Sequence, residues 1–340
     1  MYAQPMRVAV QTRRMPPWGA DNTGLCGTWE GARWLSTEEI TTVAKWQESG
    51  SLEGEAATSR EPTAKAPPFR VDATLETGGV YRPGLGAGGN RCFLADPKLD
   101  RDRLLTAIRV VSSDPRAVAQ VTLFALDSET AAAEVGALDA REAGLGYSCF
   151  GSARVSDARL VASWTWPDPT QRMPVGTGVP LHAGRKVVVQ IHYNIAQTGG
   201  TFEAATHVDL EFEDGVQQVR VVPISASGSL EPGRRYVSIE NRQSIDRRMR
   251  VVGMAPRMHI RGETMQITIE RGAKSICLAN FDHWNIYNQQ LFSSQRPVGL
   301  EPNDRVRISC VYGTLGREQP VVFGDGIDDE ECVAYLFVTD

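Results

Sequence analysis

Short apolar runs rich in β-branched residues recur along the chain beyond residue 70. Gly, Pro and Asp separate these runs, which cover 118–126, 187–193, 219–223, 265–270, 306–312 and 334–338. Regularly spaced runs of this kind are typical of antiparallel β-sandwiches. The pattern predicts a mainly β chain with two tandem jelly-roll β-sandwich domains, at residues 71–217 and 218–340.

A different pattern precedes the sandwiches. Ser36 and Glu39 have the spacing of a capping box and open onto apolar residues at helical spacing from Ile40, and Gly50 ends the run. Residues 54–70 are rich in Pro, Ala and charge without periodicity, which indicates a linker. The sequence therefore predicts a small helical N-terminal segment at residues 1–53.

The charge distribution and the length of the apolar runs exclude some classes of function. The 36 basic and 41 acidic residues are interspersed and give a net charge of -5, so no basic stripe suits nucleic acid. No run approaches the roughly 20 apolar residues that a membrane span needs. Residues 1–7 contain no secretory signal, which favours a cytoplasmic location. The oligomeric state stays open.

The 6 cysteines stand singly, at positions 26, 92, 149, 277, 310 and 332. Because no two of them form a CxxC pair, zinc ribbons, thioredoxin chemistry and covalent haem are unfavourable interpretations. Disulfides remain compatible with this spacing.

Several motifs together carry a family resemblance. GRKVVVQIHYN at 184–194 resembles a copper-binding strand, and it is joined in order by RCF at 91–93, GYSC at 146–149, RMPVGTG at 172–178, APRMH at 255–259, WNIYNQQ at 284–290, RISC at 307–310 and DEEC at 329–332. The chain thus resembles the copper type II, ascorbate-dependent monooxygenases, the family of peptidylglycine α-hydroxylating monooxygenase and dopamine β-hydroxylase, in its bacterial branch. Its members are usually exported.

Residues 14–54 resemble the second half of a c-type cytochrome domain. In that setting Met15 would be the axial haem ligand, but covalent haem needs CxxCH, which the chain lacks. We interpret the segment as a truncated remnant that packs on a sandwich as a helical cap.

The resemblance implies six copper ligands, of which this chain matches two. The histidine pair of the first domain falls on VAQV at 118–121, which leaves His192 there. In the second domain the histidine-x-histidine pair corresponds to Arg257 and His259, and the methionine ligand to Glu331. A single imidazole in each domain is a poor copper site. We therefore expect no metal and no cofactor, with copper as the cofactor only if unorthodox ligands serve.

Two interpretations of the replaced ligands stay open. Arg257 and Glu331 form an ion pair that fills the vacated volume, or Glu331, His259 and Arg257 act as general acid, general base and anion or carbonyl binder. His192 is either a fourth catalytic group or a satisfied core histidine with Gln120 and Tyr193 as its partners. A new metal site from His259, Glu331 and a third donor is a further alternative.

The resemblance also implies two disulfides, Cys92 with Cys149 and Cys310 with Cys332. Each would contribute about 2–4 kcal/mol to stability. For Cys26 and Cys277 the sequence leaves pairing open.

The leading hypothesis is a copper-independent enzyme that binds an apolar small molecule in the inter-domain cleft. Its chemistry would be non-redox, a cyclisation or isomerisation in secondary metabolism, with Gln120, Tyr193 and Met258 lining the substrate cleft. The alternatives are a non-catalytic small-molecule binding protein and a copper monooxygenase with unorthodox ligands.

Overall fold

The computed structural model describes residues 2–54, 68–82, 89–194, 202–326 and 328–340. The helices are α1 (Ala3–Gln11), α2 (Thr37–Glu48) and α3 (Glu129–Asp139). The first half contains the strands β1 (Ala73–Tyr81), β2 (Asn90–Ala95), β3 (Arg103–Ser112), β4 (Val118–Leu126), β5 (Tyr147–Ser148), β6 (Ala158–Thr165), β7 (Thr170–Arg172), β8 (Thr177–Leu181), β9 (Val187–Tyr193), β10 (Ala204–Phe212) and β11 (Gln217–Gln218). The second half contains β12 (Arg220–Ser225), β13 (Ser229–Leu230), β14 (Val237–Ser244), β15 (Met249–Met258), β16 (Gly262–Arg271), β17 (Lys274–Phe281), β18 (Phe292–Leu300), β19 (Arg305–Tyr312), β20 (Val321–Val322) and β21 (Cys332–Thr339). The mainly β prediction is confirmed.

The first half folds into a sandwich of two sheets. One sheet has the strand order β1-β10-β3-β8-β11, with β7 also paired to β3, and the other has the order β5-β2-β9-β4-β6. Every residue of β4 is buried, because one face of its sheet covers the core and the other lies against the second half. Val121 and Leu123 belong to the core, whereas Gln120 and Thr122, which alternate with them, face the second half.

The second half forms a sandwich from the sheets β12-β21-β15-β18 and β14-β19-β16-β17, with β13 and β20 as a separate pair. Met254 and Met258 on β15 enter the core of this sandwich. Ala255, on the opposite face of β15, packs with the core of the first sandwich, as does Phe337 on β21. The sheet that contains β15 and β21 is therefore covered on both faces, which explains the near-continuous burial of β15.

The helical segment before the sandwiches packs on the second one, far from it in sequence. Trp18, Ala20 and Trp29 are part of the core of the second sandwich, and Ala20 forms a β-bridge with Phe281. The capping box predicted at α2 is present, and the Ser36 side chain accepts a hydrogen bond from the backbone N–H of Glu39. The description as a cap is consistent with this packing, and the cytochrome ancestry stays a prediction.

The helix α3 was not predicted from the sequence, whereas α1 falls within the predicted helical segment at residues 1–53. The apolar residues of α3 lack a sharp stripe, and Ser128 marks its start by accepting a hydrogen bond from the Ala131 backbone N–H. The helix α1 packs against α2, with Arg7 bonded to Gln47 at 2.8 Å and paired with Glu48 at 2.8 Å. Tertiary contacts rather than local periodicity thus support α3, whereas α1 is amphipathic and also packs on α2.

The predicted disulfides Cys92–Cys149 and Cys310–Cys332 are both present. A third links Cys26 of the N-terminal segment to Cys277 on β17, across 251 positions of sequence. Three crosslinks favour an oxidising, exported-type environment and do not support the predicted cytoplasmic location.

The hydrophobic core falls into two clusters, one for each sandwich. The first cluster contains the buried apolar residues between 75 and 221, and the second contains most of those from residue 224 onward. The few exceptions after residue 224 lie at the contact between the halves. This division supports the predicted boundary at residue 218, which stays a prediction. The predicted linker, 54–70, lies mostly outside the described residues. In the described part of the chain no helix has the length and apolarity to span a bilayer.

Candidate functional site

A charged cluster lies where the second sandwich meets the first. β15 and β21 are antiparallel neighbours with Met258 opposite Cys332, so the next residues outward, His259 and Glu331, also lie close together. Glu331 Oε2 is 3.4 Å from His259 Nε2 and 3.4 Å from Arg257 Nε. The fold thus brings together three of the four predicted catalytic residues.

Arg257 also joins the two sandwiches. Its Nη1 donates to Thr122 Oγ1 on β4 at 3.1 Å, and its Nη2 donates to Gln190 Oε1 on β9 at 3.4 Å. The residue is only 4% exposed. The predicted ion pair with Glu331 is a single contact through Nε, because the other guanidinium nitrogens turn toward the first sandwich.

His259 is buried beneath the loop that follows β5, and its ring lies 4.3 Å from the ring of Phe150. Its Nδ1 is 2.9 Å from the Asp329 carbonyl, which can only accept, so Nδ1 carries a proton. Within the described residues its Nε2 has no hydrogen bond of good geometry. Burial disfavours the imidazolium, but Glu331 and the Asp329 carbonyl favour it more strongly, so the pKa of His259 is raised.

The carboxyl groups of Glu330 and Glu331 are neighbours, but their pKa values are shifted in opposite directions. Burial raises the pKa of Glu330, although its carboxyl accepts from the backbone N–H groups of Arg261 at 2.7 Å and His259 at 2.9 Å. Burial acts in the same direction on Glu331, but the nearby Arg257 and His259 outweigh it and lower the pKa of Glu331. Glu331 is therefore the anion of the cluster.

A cavity of about 910 Å³ lies between the two sandwiches. This volume is within the range of roughly 300–1,000 Å³ that small-molecule sites occupy. Aromatic and aliphatic side chains form much of its wall, with one cation and one anion among them: Phe150, Ile260, Ile286, Tyr287, Arg154 and Asp325. His192 lines this cavity, whereas Arg257, His259 and Glu331 do not.

His192 stands near the end of β9, opposite Gln120 on β4. Its ring meets the ring of Tyr287 edge-on, with 5.3 Å between the ring centres. Burial, followed by the charge of Arg257, lowers the pKa of His192 to about 4. The cavity therefore presents a neutral imidazole at neutral pH.

The two predicted partners of His192 lie on different sides of the strand, and their partnership with it stays a prediction. Gln120 lies beside it at the contact between the sandwiches and donates from Nε2 to the Gln289 carbonyl at 3.1 Å. Tyr193 borders the cavity, but its ring stacks on Tyr81 at 4.9 Å in the core of the first sandwich. Successive side chains alternate across a strand, so the ring of Tyr193 points away from His192.

The prediction that Met258 lines the cleft is wrong. Met258 is fully buried in the core of the second sandwich, because it alternates with Arg257 along β15. Two residues that matter to the site were missed, Phe150 and Tyr287, each of which covers a histidine. Both lie in motifs that carry the family resemblance or directly follow one, but no local pattern marked them as cavity residues.

The comparisons with known proteins agree with this architecture. The family model for the C-terminal domain of copper type II ascorbate-dependent monooxygenases matches residues 227–338, nearly all of the second sandwich. The chain is thus similar to the copper type II ascorbate-dependent monooxygenases, and the match to the family model lies in the second sandwich. It is also 24% identical over 200 residues to the tyramine beta-hydroxylase of Caenorhabditis briggsae, covering 54% of this chain and 34% of that protein. The chain thus matches about a third of the length of this curated relative.

A solved structure, vicilin from Solanum lycopersicum (tomato), covers 70% of this chain and 78% of its own at 7% identity. Its TM-score is 0.12, so this likeness carries no argument about fold or function.

The copper chemistry of the monooxygenase family can be tested against the donors present. Across the described residues, no group of three or more His, Cys, Asp or Glu side chains is placed to hold a metal ion. His259 and Glu331 would supply two donors, but the guanidinium of Arg257 lies against the same carboxylate oxygen. A cation at that oxygen opposes the binding of a second cation. These residues do not fit the family's second copper site.

Proposed function

We propose that this monooxygenase-family chain is a copper-independent enzyme that binds an apolar small molecule between its two sandwiches. The reaction is non-redox, a cyclisation or isomerisation, and belongs to secondary metabolism. One observation carries the proposal: a cavity of about 910 Å³ with the imidazole of His192 in a wall that is more apolar than polar. A shaped apolar pocket with few polar groups is the usual form of a small-molecule site.

The chemistry follows from what faces the cavity. A neutral imidazole at His192 accepts a proton from a bound molecule and returns it at another atom, so the reaction needs neither oxidant nor reductant. Arg154 and Asp325 at the polar part of the wall orient the polar end of the molecule.

Copper independence is tested by elemental analysis after incubation with excess copper and removal of unbound ion. We expect less than one copper per chain and no ascorbate-dependent oxygen uptake. About two coppers per chain, with one lost in His259→Ala, would overturn the proposal and restore the copper monooxygenase with unorthodox ligands.

Proton transfer is tested without knowledge of the substrate. An apolar metabolite extract incubated in heavy water with the protein should gain deuterium in at least one compound, as measured by mass spectrometry. His192→Ala should abolish this gain, whereas Tyr236→Ala, at an exposed site outside the cavity wall, should not. Equal exchange by His192→Ala would remove His192 from the mechanism.

A second candidate function is a non-catalytic carrier. The observation that favours it is that Arg257, His259 and Glu331 satisfy one another behind the cavity wall instead of lining it. A carrier would bind a compound from the same extract and release it unchanged, with no deuterium incorporated.

A further inference from the structure

Two aromatic rings of the cavity wall each cover one histidine. The ring of Phe150, from the first sandwich, meets His259 of the second at 4.3 Å and 65°. The ring of Tyr287, from the second sandwich, meets His192 of the first at 5.3 Å and 89°. Both are edge-to-face contacts. The difference is that His192 still reaches the cavity, whereas His259 is shut behind Phe150.

The backbone around Phe150 is held at both ends. Cys149 is crosslinked to Cys92, and Ser152 Oγ donates to Asp325 Oδ2 across the sandwich contact at 2.9 Å. The side chain of Phe150 remains half-buried. Movement at this point is therefore available to the ring through its side-chain torsions more readily than to the loop.

Little separates the imidazole of His259 from the loop. A Cβ built on Gly151 would stand 3.0 Å from His259 Nε2 and 3.5 Å from Glu331 Oε2. The Nε2 atom faces this gap, and within the described residues it has no well-directed hydrogen bond, although His259 is only 2% exposed. The contact of Nε2 with Glu331 Oε2 is a long one, at 3.4 Å, so this buried nitrogen can accommodate a better-placed hydrogen-bond partner.

We propose that Phe150 is a gating residue, whose ring separates the cavity from the buried His259–Glu331 pair and whose rotation joins them into one site. The inference rests on the proposed function, because it takes the same cavity as the ligand site. With the ring in place, a ligand reaches only His192. With the ring rotated, a ligand lies between one imidazole from each sandwich, and Nε2 gains a partner in addition to Glu331.

The test is histidine labelling with diethyl pyrocarbonate, with the rate at each histidine followed by peptide mass spectrometry. In the wild type, His259 should label at least tenfold more slowly than the exposed His283. Phe150→Ala should speed labelling of His259 at least tenfold. The matched variant Tyr287→Ala should speed labelling of His192 and change that of His259 less than twofold.

Two controls keep the result specific. Measurement at pH 7 and pH 8 should give the same ratio between variants, which separates access from protonation. Phe150→Leu keeps an apolar side chain on the loop and should give an intermediate rate if Phe150→Ala is poorly folded.

Slow labelling of His259 in both Phe150 variants would overturn the gate, as would equal acceleration in Tyr287→Ala. Because labelling needs no substrate and no copper, its outcome is independent of the tests of the proposed function. Failure of those tests with a positive labelling result would leave the gate in place and remove only its use in isomerisation.

Discussion

Replacement of Arg257 by methionine should destabilise the protein strongly at neutral pH and weakly at acid pH. The change keeps the apolar part of the side chain but removes the cation that faces Glu331 at 3.4 Å and the donors to Thr122 and Gln190. Glu331 would remain as a carboxylate in a largely buried position. Loss of one partner of a buried pair is destabilising, and here it leaves His259, 3.4 Å away, to face the carboxylate.

The magnitude follows from two limits. Two charges 3.4 Å apart attract by about 5 kcal/mol at an effective dielectric constant of roughly 20. Glu331 can escape this loss by taking a proton, which from its ordinary pKa costs about 3 kcal/mol at pH 7 and under about 1 kcal/mol at pH 5. The two acceptors left by the guanidinium add about 1 kcal/mol each at most. We expect a loss of about 3–5 kcal/mol at pH 7 and about 1–3 kcal/mol at pH 5.

The pH dependence of this stability loss depends on how the pKa of Glu331 is shifted. The pKa of Glu331 lies below its ordinary value, so the pair contributes stability above the unfolded-state pKa and loses it as the pH falls through the folded-state pKa. In the variant, burial without Arg257 raises the pKa of Glu331, so the variant regains stability as the pH falls from 7 to 5 and approaches the wild type.

Urea unfolding at pH 7 and pH 5, with the disulfides intact, measures both losses. Arg248→Met is the matched control, because Arg248 is 2.9 Å from Glu301 but 78% exposed in its side chain, and exposed pairs contribute under about 1 kcal/mol. A loss in Arg257→Met no larger than in the control, or equal losses at the two pH values, would refute the argument.

Three further predictions concern stability. Asp304→Asn should lower the free energy of unfolding by about 1.5–3 kcal/mol at neutral pH, because Arg271 bonds to the Asp304 carboxylate at 2.7 and 2.8 Å and lowers its pKa. In urea unfolding this loss should shrink below about pH 4, and a loss independent of pH would contradict the argument. Gly151→Ala should lower the free energy of unfolding by at least about 1 kcal/mol more than Gly144→Ala. Both positions have positive φ, but only at Gly151 would the added Cβ contact His259. Equal losses in urea unfolding would exclude that contact. Cys277→Ser should speed trypsin cleavage within residues 2–54 and leave the rest of the chain as resistant as in the wild type, since only this crosslink ties the segment covalently to the second sandwich.

Sequence patterns predicted the strands well where burial on both faces made them continuous. The runs at 118–126 and 187–193 coincide with β4 and β9, because their apolar residues are set by the core on one side and the sandwich contact on the other. The capping box of α2 was also predicted correctly, because it depends only on Ser36 and Glu39. The helix α3 was missed because its apolar residues lack a sharp stripe, so its fold depends on packing that no local window contains.

The candidate site was only partly predictable. Family spacing brought out Arg257, His259 and Glu331, and strand pairing explains why they meet. Strand alternation could have placed Met258 in the core, had the buried face of β15 been known. Phe150 could not be assigned from the sequence, because its role depends on how a loop of the first sandwich packs against His259 of the second.

The packing of the N-terminal segment imposes an order on how the protein matures. Trp18 and Trp29 belong to the core of the second sandwich, and Cys26 pairs with Cys277, 251 positions later. During synthesis the first part of the chain thus waits, with its tryptophans uncovered, until nearly all of the chain has emerged. At roughly 5–20 residues per second this interval is about 10–50 s. A cell that makes this protein has to shield that segment from premature oxidation and aggregation before its partner exists.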